Sequence, residues 1–86
     1  MMNRIIVLGG GESGTGSAIL ARKQGFDVFL SDNGTIKTKY KEMLYNYDIP
    51  WEEDKHTERL ILETDEVIKS PGIPERSPII QAIRKK

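Results

Sequence analysis

The sequence predicts an α/β domain in which a parallel sheet carries helices on both of its faces. Short runs of apolar and β-branched residues alternate with segments of helical periodicity along the 86 residues. This alternation is typical of β-α-β units, whose successive strands pair in parallel. In addition, the first apolar run leads directly into a cluster of glycines, which is a common connection between a buried strand and the helix behind it.

The first strand and the first helix are predicted near the amino terminus. Residues Ile5 to Leu8 form a continuous apolar run, as expected for a parallel strand that is covered on both faces. A helix is expected over Ser13–Gln24, because Gly25 directly after it is a common helix-terminating residue. Small residues recur along one side of this helix, which would let it lie close to the sheet: Gly14, Ser17, Ala18 and Ala21.

The middle of the chain predicts a second strand, a second helix and an edge strand. Asp27–Leu30 is the strand, and the turn sequence from Ser31 to Gly34 ends it. Ile36–Tyr47 places apolar and aromatic residues at helical spacing. Ile49 to Trp51 favours a short edge strand, because Pro50 has no N–H group to donate to a central ladder.

The remaining residues complete a sheet of strand order 3-2-1-4. A short helix over Thr57–Leu62 precedes a strand over Glu66–Lys69, and Ser77–Lys85 is expected to be the last helix. A doubly wound unit normally continues into a fifth strand beside the fourth, and no sequence for it follows Lys86. We therefore expect residues 1–86 to be an N-terminal fragment of a longer protein. The strand Glu66–Lys69 would then be an exposed edge that can self-associate.

Composition and charge exclude several classes of protein. Thirteen basic residues balance thirteen acidic ones, so the total charge offers no attraction to nucleic acid or anionic lipid. The absence of cysteine excludes disulfides and thiolate metal sites. The apolar runs are too short for a signal peptide or a membrane span, which makes the cytoplasm the default location. His56 lies among acidic residues, where we expect a solvated loop rather than a metal site.

The glycine cluster indicates a Rossmann-like phosphate-binding loop. Gly9, Gly11 and Gly14 fit the pattern G-x-G-x-x-G between the first strand and the first helix. In this pattern the first glycine allows a tight turn, the second lets a diphosphate approach the backbone, and the third lets the helix contact the strand. Free N–H groups at the start of the helix then face the anion.

Two further segments reach the same end of the predicted sheet. Asp32 follows the second strand, where its carboxylate could accept hydrogen bonds from a ribose or a uracil ring, or could simply form the turn. Ser70, Pro71 and Gly72 begin the run Ser70–Pro74 after the fourth strand, which would face the glycine loop across the switch-point crevice. A rigid proline followed by a glycine would present a fixed turn with exposed backbone to a flat base.

The segments VLGGGESGTGSA, SD and DEVIKSPGIP resemble the D-glutamate-adding members of the Mur ligase family, and the resemblance extends over essentially the whole chain. It implies a domain that binds the UDP part of UDP-N-acetylmuramoyl-L-alanine. Carried over by position, Glu12 and Ser13, next to Gly11 and Gly14, would lie at the diphosphate. Asp32 and Asn33 would lie at the uracil, and Ser70, Pro71 and Gly72 would close the pocket. Glu12 departs from the family, which often has an apolar residue there, so we expect its side chain to point away from the diphosphate.

The resemblance also implies which parts of a ligase this chain lacks. The sequence has no G-x-x-x-x-G-K-[ST] loop for ATP and no plausible magnesium cluster. ATP and magnesium would belong to the central domain of an ATP-dependent ligase of peptidoglycan synthesis, and the amino-acid substrate largely to its C-terminal domain. The chain by itself would hold no cofactor and be inactive.

Two alternatives to this interpretation remain open. An NAD-binding Rossmann domain of an oxidoreductase, or a nucleotide-sensing regulatory domain, would use the same glycines and Asp32. A structural or interaction domain could keep the fold without binding a ligand. The Ser70–Pro74 run favours the UDP-binding hypothesis over both.

Overall fold

Strands and helices alternate along the computed structural model, which describes residues 4–64, 66–69 and 78–85. The strands are β1 (Arg4–Leu8), β2 (Asp27–Ser31), β3 (Trp51–Glu52) and β4 (Glu66–Lys69). The helices are α1 (Glu12–Lys23), α2 (Thr38–Asn46), α3 (Glu58–Leu62) and α4 (Pro78–Lys85). Every predicted element is present, and the bounds differ from the predicted ones by a residue or two at the ends.

The strands form one parallel sheet of order β3-β2-β1-β4, as the sequence predicts. β1 is an inner strand, and its last residue Leu8 lies opposite Ser31 of β2 and Lys69 of β4. The two residues of β3 pair with Leu30 and Ser31. The carboxyl ends of β1, β2 and β4 therefore meet at one edge of the sheet, which is where doubly wound proteins bind their ligands.

β1 is buried on both faces, which explains its unbroken apolar sequence. Ile5 and Val7 pack on one side with residues of β2, α1 and α2. Ile6 and Leu8 pack on the other side with residues of α3 and α4. The two sets alternate because successive side chains of a strand point to opposite faces. Helices thus cover both faces of the sheet, as predicted.

α1 lies close to the sheet through a face of small residues. Its buried residues are Gly14, Thr15, Ala18 and Ala21. Ser17 was predicted on this face but is only half-buried. Thr15, which was not predicted there, is fully buried. The hydroxyl of Thr15 donates to the carbonyl of Gly10 at 3.3 Å, so this buried polar group has a partner.

α2 covers the sheet less completely than its sequence pattern predicts. Leu44 is buried, and Tyr40 packs against the same core cluster from a partly buried position. Met43 and Tyr47 are among the apolar and aromatic residues at helical spacing in Ile36–Tyr47, but they are 41% and 36% exposed. α2 packs mainly against α1, and β3 adds only two residues to the sheet.

Within the described residues, β3 and β4 are the edge strands of the sheet. Whether β4 self-associates, and whether a fifth strand would pair with it, stay predictions. None of the helices in the described ranges has the length and apolar character that a membrane crossing requires.

Candidate functional site

The candidate site lies at the carboxyl edge of the sheet, where the loop between β1 and α1 passes beside the end of β2. The N–H of Gly9 donates to the carbonyl of Ser31 at 2.8 Å, which joins the two strand ends. Gly10 and Gly11 follow, and α1 begins at Glu12. The loop is therefore short and held at its base by the sheet.

Gly9 and Gly14 allow the tight turn and the close helix packing of this loop. Gly9 has a φ of 104°, in the region that glycine adopts without strain and that other residues rarely adopt. A Cβ atom on Gly14 would lie 1.7 Å from the carbonyl oxygen of Gly9. α1 can therefore begin directly against the end of β1 only because residue 14 has no side chain.

Gly11 has a different role, because the space around it is open. It is the N-cap residue of α1, it is exposed, and a Cβ atom built on it would meet nothing within 4 Å. Its carbonyl accepts the N–H of Thr15 at 2.9 Å, which is the first hydrogen bond of the helix. A group that approaches from solvent can thus reach the backbone here. Gly9 thus lies at the tight turn and Gly14 at the contact between helix and strand, while the diphosphate role of Gly11 stays a prediction.

The first turn of α1 offers N–H groups to an anion. The N–H groups of Glu12, Ser13 and Gly14 have no acceptor within the helix, since the residues that would accept them precede its start. Gly11 has no side chain to cap them. The helix dipole adds a partial positive charge at the same place. Glu12 and Ser13 are both exposed, so the carboxylate of Glu12 is open to solvent beside these donors.

Asp32 connects the glycine loop to the turn after β2. One carboxylate oxygen accepts the N–H of Gly10 at 2.7 Å, and the other accepts the N–H of Gly34 at 2.8 Å. The second bond makes Asp32 the turn former that one hypothesis predicts. The first places its carboxylate directly beside the glycine loop. Each oxygen keeps a further lone pair, so both functions are compatible with accepting a bond from a ligand.

The other predicted residues are only partly described. Asn33 is exposed at the tip of the same turn. Ser70, Pro71 and Gly72 lie outside the described residues. β4 ends at Lys69, which pairs with Leu8, so the chain leaves β4 beside the start of the glycine loop.

Residues 52–57, which include the loop expected to be solvated, hold the Asp32 turn in place. The carbonyl of Glu52 in this 52–57 segment accepts the N–H of Asp32 at 3.0 Å, and the N–H of Lys55 donates to the carbonyl of Asp32 at 3.3 Å. The N–H of Asp54 donates to the carbonyl of Gly34 at 2.9 Å. Both peptide groups of Asp32 are therefore fixed by the 52–57 segment.

Glu53 adds a charged connection from the same segment to α2. Its carboxylate accepts the N–H of Ile36 at 3.0 Å and the ammonium of Lys41 at 2.7 Å. The hydrogen bond from Lys41, followed by the one from Ile36, lowers the pKa of Glu53 below its ordinary value. The turn after β2 is thus also held in place at Ile36, where it leads towards α2.

Ser31 and Glu52 form a polar cluster beneath the turn. Ser31 is fully buried, and its hydroxyl donates to the carboxylate of Glu52 at 2.8 Å. Burial by itself would raise the pKa of Glu52, but hydrogen bonds from the backbone and side chain of Thr57 and from Ser31, with the charge of Lys55, lower it overall. Glu52 is therefore a carboxylate that accepts several bonds at once.

His56 belongs to the same cluster, which corrects the expectation of a solvated loop. Its Nδ1 lies 2.6 Å from the hydroxyl of Ser31, and the residue is half-buried. Burial lowers the pKa of His56, although the charges of Glu52 and Asp32 oppose the shift. Among the described residues no group of three potential metal ligands is present.

Comparison with known proteins assigns the chain to a family. The family described as the MurD N-terminal domain matches residues 4–79. The chain belongs to the MurD N-terminal domain family. This confirms the resemblance that the glycine loop, the strand-ending Asp32 and the Ser70–Pro74 run indicate.

The individual relatives of this MurD-type domain share one name and are much longer than the chain. The chain is 57% identical over 86 residues to the UDP-N-acetylmuramoylalanine--D-glutamate ligase of Christiangramia forsetii, and the match covers 100% of the chain and 19% of that protein. The ligase of the same name from Porphyromonas gingivalis W83 is 60% identical over 82 residues, or 94% of this chain and 18% of that protein. The ligase of the same name from Bacteroides fragilis is 56% identical over 84 residues, and the match covers 98% of this chain and 19% of that protein. The chain thus spans about a fifth of the length of these relatives.

The residues of this MurD-type domain do not fit ATP or magnesium. The sequence lacks the G-x-x-x-x-G-K-[ST] pattern in which a lysine reaches the phosphates and a hydroxyl reaches the metal. Glu52 and Glu53 near the site each accept a backbone N–H group and a side-chain donor, and the described residues contain no group of three potential metal ligands. The arrangement as described can receive an anion and a hydrogen-bonding ring.

Proposed function

We propose that this MurD-type domain binds the UDP part of UDP-N-acetylmuramoyl-L-alanine for a D-glutamate-adding ligase. The observation that carries the proposal is the open backbone at Gly11, at an uncapped helix start, with the carboxylate of Asp32 bonded to the adjacent Gly10. Such a pair offers donors for phosphate and an acceptor for a nucleoside within one short loop. The names of the relatives support the choice of nucleotide.

The diphosphate would lie against the start of α1. Its oxygens would accept the backbone N–H groups of Glu12 and Ser13, and Gly11 would let them approach because it has no side chain. Glu12 contributes an unfavourable charge, so the backbone and the helix dipole would provide the attraction. We therefore expect weak, millimolar affinity for the diphosphate alone.

The uracil would lie at the turn after β2. Its ring N–H is a donor between two carbonyl acceptors, so a free lone pair of the Asp32 carboxylate can accept that N–H. Asn33, exposed at the tip of the turn, can donate to a ring carbonyl. Cytosine has a lone pair where uracil has the N–H, so the same carboxylate would repel it. This arrangement predicts a preference for UDP over CDP.

The ligase reaction itself would belong to a longer parent protein. In this proposal the parent joins D-glutamate to the L-alanine end of the nucleotide precursor in an ATP-dependent step, in the cytoplasm of a bacterium. ATP and magnesium would bind to parts of the parent other than residues 1–86, which lack the residues for them. The role of this domain is then to hold the nucleotide end of the substrate.

The test compares UDP, CDP and NAD by isothermal titration calorimetry on the 86-residue chain. UDP should bind more tightly than CDP, and NAD should not bind measurably. Gly11→Val should abolish UDP binding, because the new side chain would occupy the space that the diphosphate needs. Gly16→Val is the matched control, since Gly16 is exposed on the same helix and has equally open surroundings.

The two variants separate a blocked site from a damaged fold. If both variants fold and both bind UDP as the unchanged chain does, Gly11 is not the point of close approach. Binding of NAD without any response to UDP would contradict the proposal and favour an oxidoreductase domain.

A further inference from the structure

Polar atoms of the 52–57 segment converge on the buried hydroxyl of Ser31. Within 3.3 Å of the oxygen of Ser31 lie a carboxylate oxygen of Glu52, the carbonyl oxygen of Lys55 and Nδ1 of His56. Ser31 is fully buried and immediately precedes Asp32. Any rearrangement of this cluster would therefore move the residue that is proposed to read the base.

Counting hydrogens at Ser31 determines the direction of these bonds. A hydroxyl has one hydrogen to donate, and the carboxylate and carbonyl oxygens can only accept. If Ser31 donated to His56, its 2.8 Å contact with Glu52 would place two oxygens together without a hydrogen between them. Both short contacts are satisfied only if Nδ1 of His56 carries the hydrogen and donates to Ser31, which in turn donates to Glu52.

Glu52 completes this directed chain of bonds. Its carboxylate also accepts the backbone N–H of Thr57 at 2.7 Å and the hydroxyl of the same residue. The carbonyl of Glu52 accepts the N–H of Asp32. The network thus begins at His56, passes through Ser31 to Glu52 and returns through the backbone to Asp32.

We propose that His56, Ser31 and Glu52 form a positioning network that orients the Asp32–Asn33 turn and thereby sets the preference for uracil. The inference rests on the proposed function, since it assigns the specificity of the same site. His56 is a positioning residue in this scheme and acts through Ser31. The network requires a hydrogen on Nδ1, and in the neutral ring, which burial favours by lowering the pKa of His56, this leaves Nε2 as an acceptor.

The first test needs no ligand and so stands independently of the proposed function. Nitrogen-15 NMR of the imidazole at pH 8 distinguishes a protonated ring nitrogen from one with a lone pair. We expect Nδ1 of His56 to give the protonated signature and Nε2 the lone-pair signature. The opposite assignment, or rapid exchange between the two forms, would overturn the network.

The second test uses the matched variants His56→Asn and His56→Leu. The side-chain nitrogen of asparagine is bonded to Cγ, as Nδ1 is in histidine, so Asn can still donate to Ser31, whereas Leu has the same branched shape without a donor. We expect UDP affinity to fall about tenfold in the Leu variant, as for one lost hydrogen bond in a protected site, and to change less than about threefold in the Asn variant.

The base dependence separates positioning from general damage to the fold. Affinity for pyrophosphate should be equal in both variants, and the preference for UDP over CDP should fall only in the Leu variant. Ser31→Ala should reproduce the Leu result, and it serves in its place if His56→Leu does not fold. Equal loss of UDP and pyrophosphate binding, or an unchanged preference for UDP, would overturn the proposal. Failure of the unchanged chain to bind UDP at all would refute the proposed function, while the tautomer test would still decide the network.

Discussion

Replacing Gly14 by alanine tests how closely α1 is seated on the sheet. The added Cβ would lie 1.7 Å from the carbonyl oxygen of Gly9 and 2.8 Å from its carbonyl carbon. Real Cβ atoms essentially never come nearer than 3.0 Å to such atoms. Both neighbours are backbone atoms at the end of β1, so no side chain can rotate to relieve the contact. The start of α1 would have to move away from the strand.

The size of the effect follows from two opposing contributions. Overpacking of a well-packed contact costs about 1–3 kcal/mol, and an unyielding backbone neighbour favours the upper end of that range. Alanine regains up to about 1 kcal/mol over glycine through helix propensity. We therefore expect a net loss of about 2 kcal/mol in the free energy of unfolding. Gly16→Ala, in the same helix with open surroundings, should instead gain about 1 kcal/mol.

Urea unfolding, followed by circular dichroism and by the fluorescence of Trp51, measures this difference. With a denaturant slope of about 1 kcal/mol per molar, the midpoints of the two variants should lie about 3 M apart on either side of the unchanged chain. The domain should tolerate the Gly14 change, since a chain of this length has a total stability of roughly 4–13 kcal/mol. Equal midpoints for the two variants would show that α1 does not begin against the Gly9 carbonyl.

Three further predictions concern the site and the sheet edge. Asp32→Ala should lower the free energy of unfolding by about 1–3 kcal/mol, because the N–H groups of Gly10 and Gly34 lose a charged acceptor; an unchanged urea midpoint would contradict this. Stability should fall as the pH drops below 6.5, because burial lowers the pKa of His56 and the unfolded chain binds the proton first. It should fall again below pH 4.5, because the pKa values of Glu52 and Glu53 are lowered. Urea midpoints from pH 8 to pH 3 measure both declines in stability, and the His56→Asn variant should lack the decline below pH 6.5. Sedimentation velocity should show concentration-dependent self-association through β4, and a monomer at every concentration would refute it.

Much of the fold could be predicted because its signals are local. The continuous apolar run of β1 indicates burial on both faces, and the helix after the glycine loop follows from spacing and from the terminating Gly25. The strand order follows from the doubly wound arrangement that the glycine motif indicates, rather than from the residues of the strands themselves. Helical spacing was a weaker guide to burial in α2, where Met43 and Tyr47 are exposed although they share the spacing of the buried Leu44.

The candidate site was predictable only in part. The three motif glycines have roles that depend on backbone conformation and close approach, and a spacing pattern records both. Asp32 was predicted at the site, but its bond to Gly10 joins two loops and is absent from any local pattern. His56 was assigned to a solvated loop because its neighbours in sequence are acidic.

The sequence by itself determined the order of strands and helices, the G-x-G-x-x-G spacing of Gly9, Gly11 and Gly14, and the family. These properties are recorded in periodicity and in the conformational limits of single residues. Only the tertiary structure decided what surrounds Asp32. Ser31 contacts residues more than 20 positions away in sequence, and these meet it only because β3 pairs with β2. The direction of the hydrogen bonds at Ser31 then depends on the number of donors and acceptors that pairing brings together, which no stretch of sequence contains.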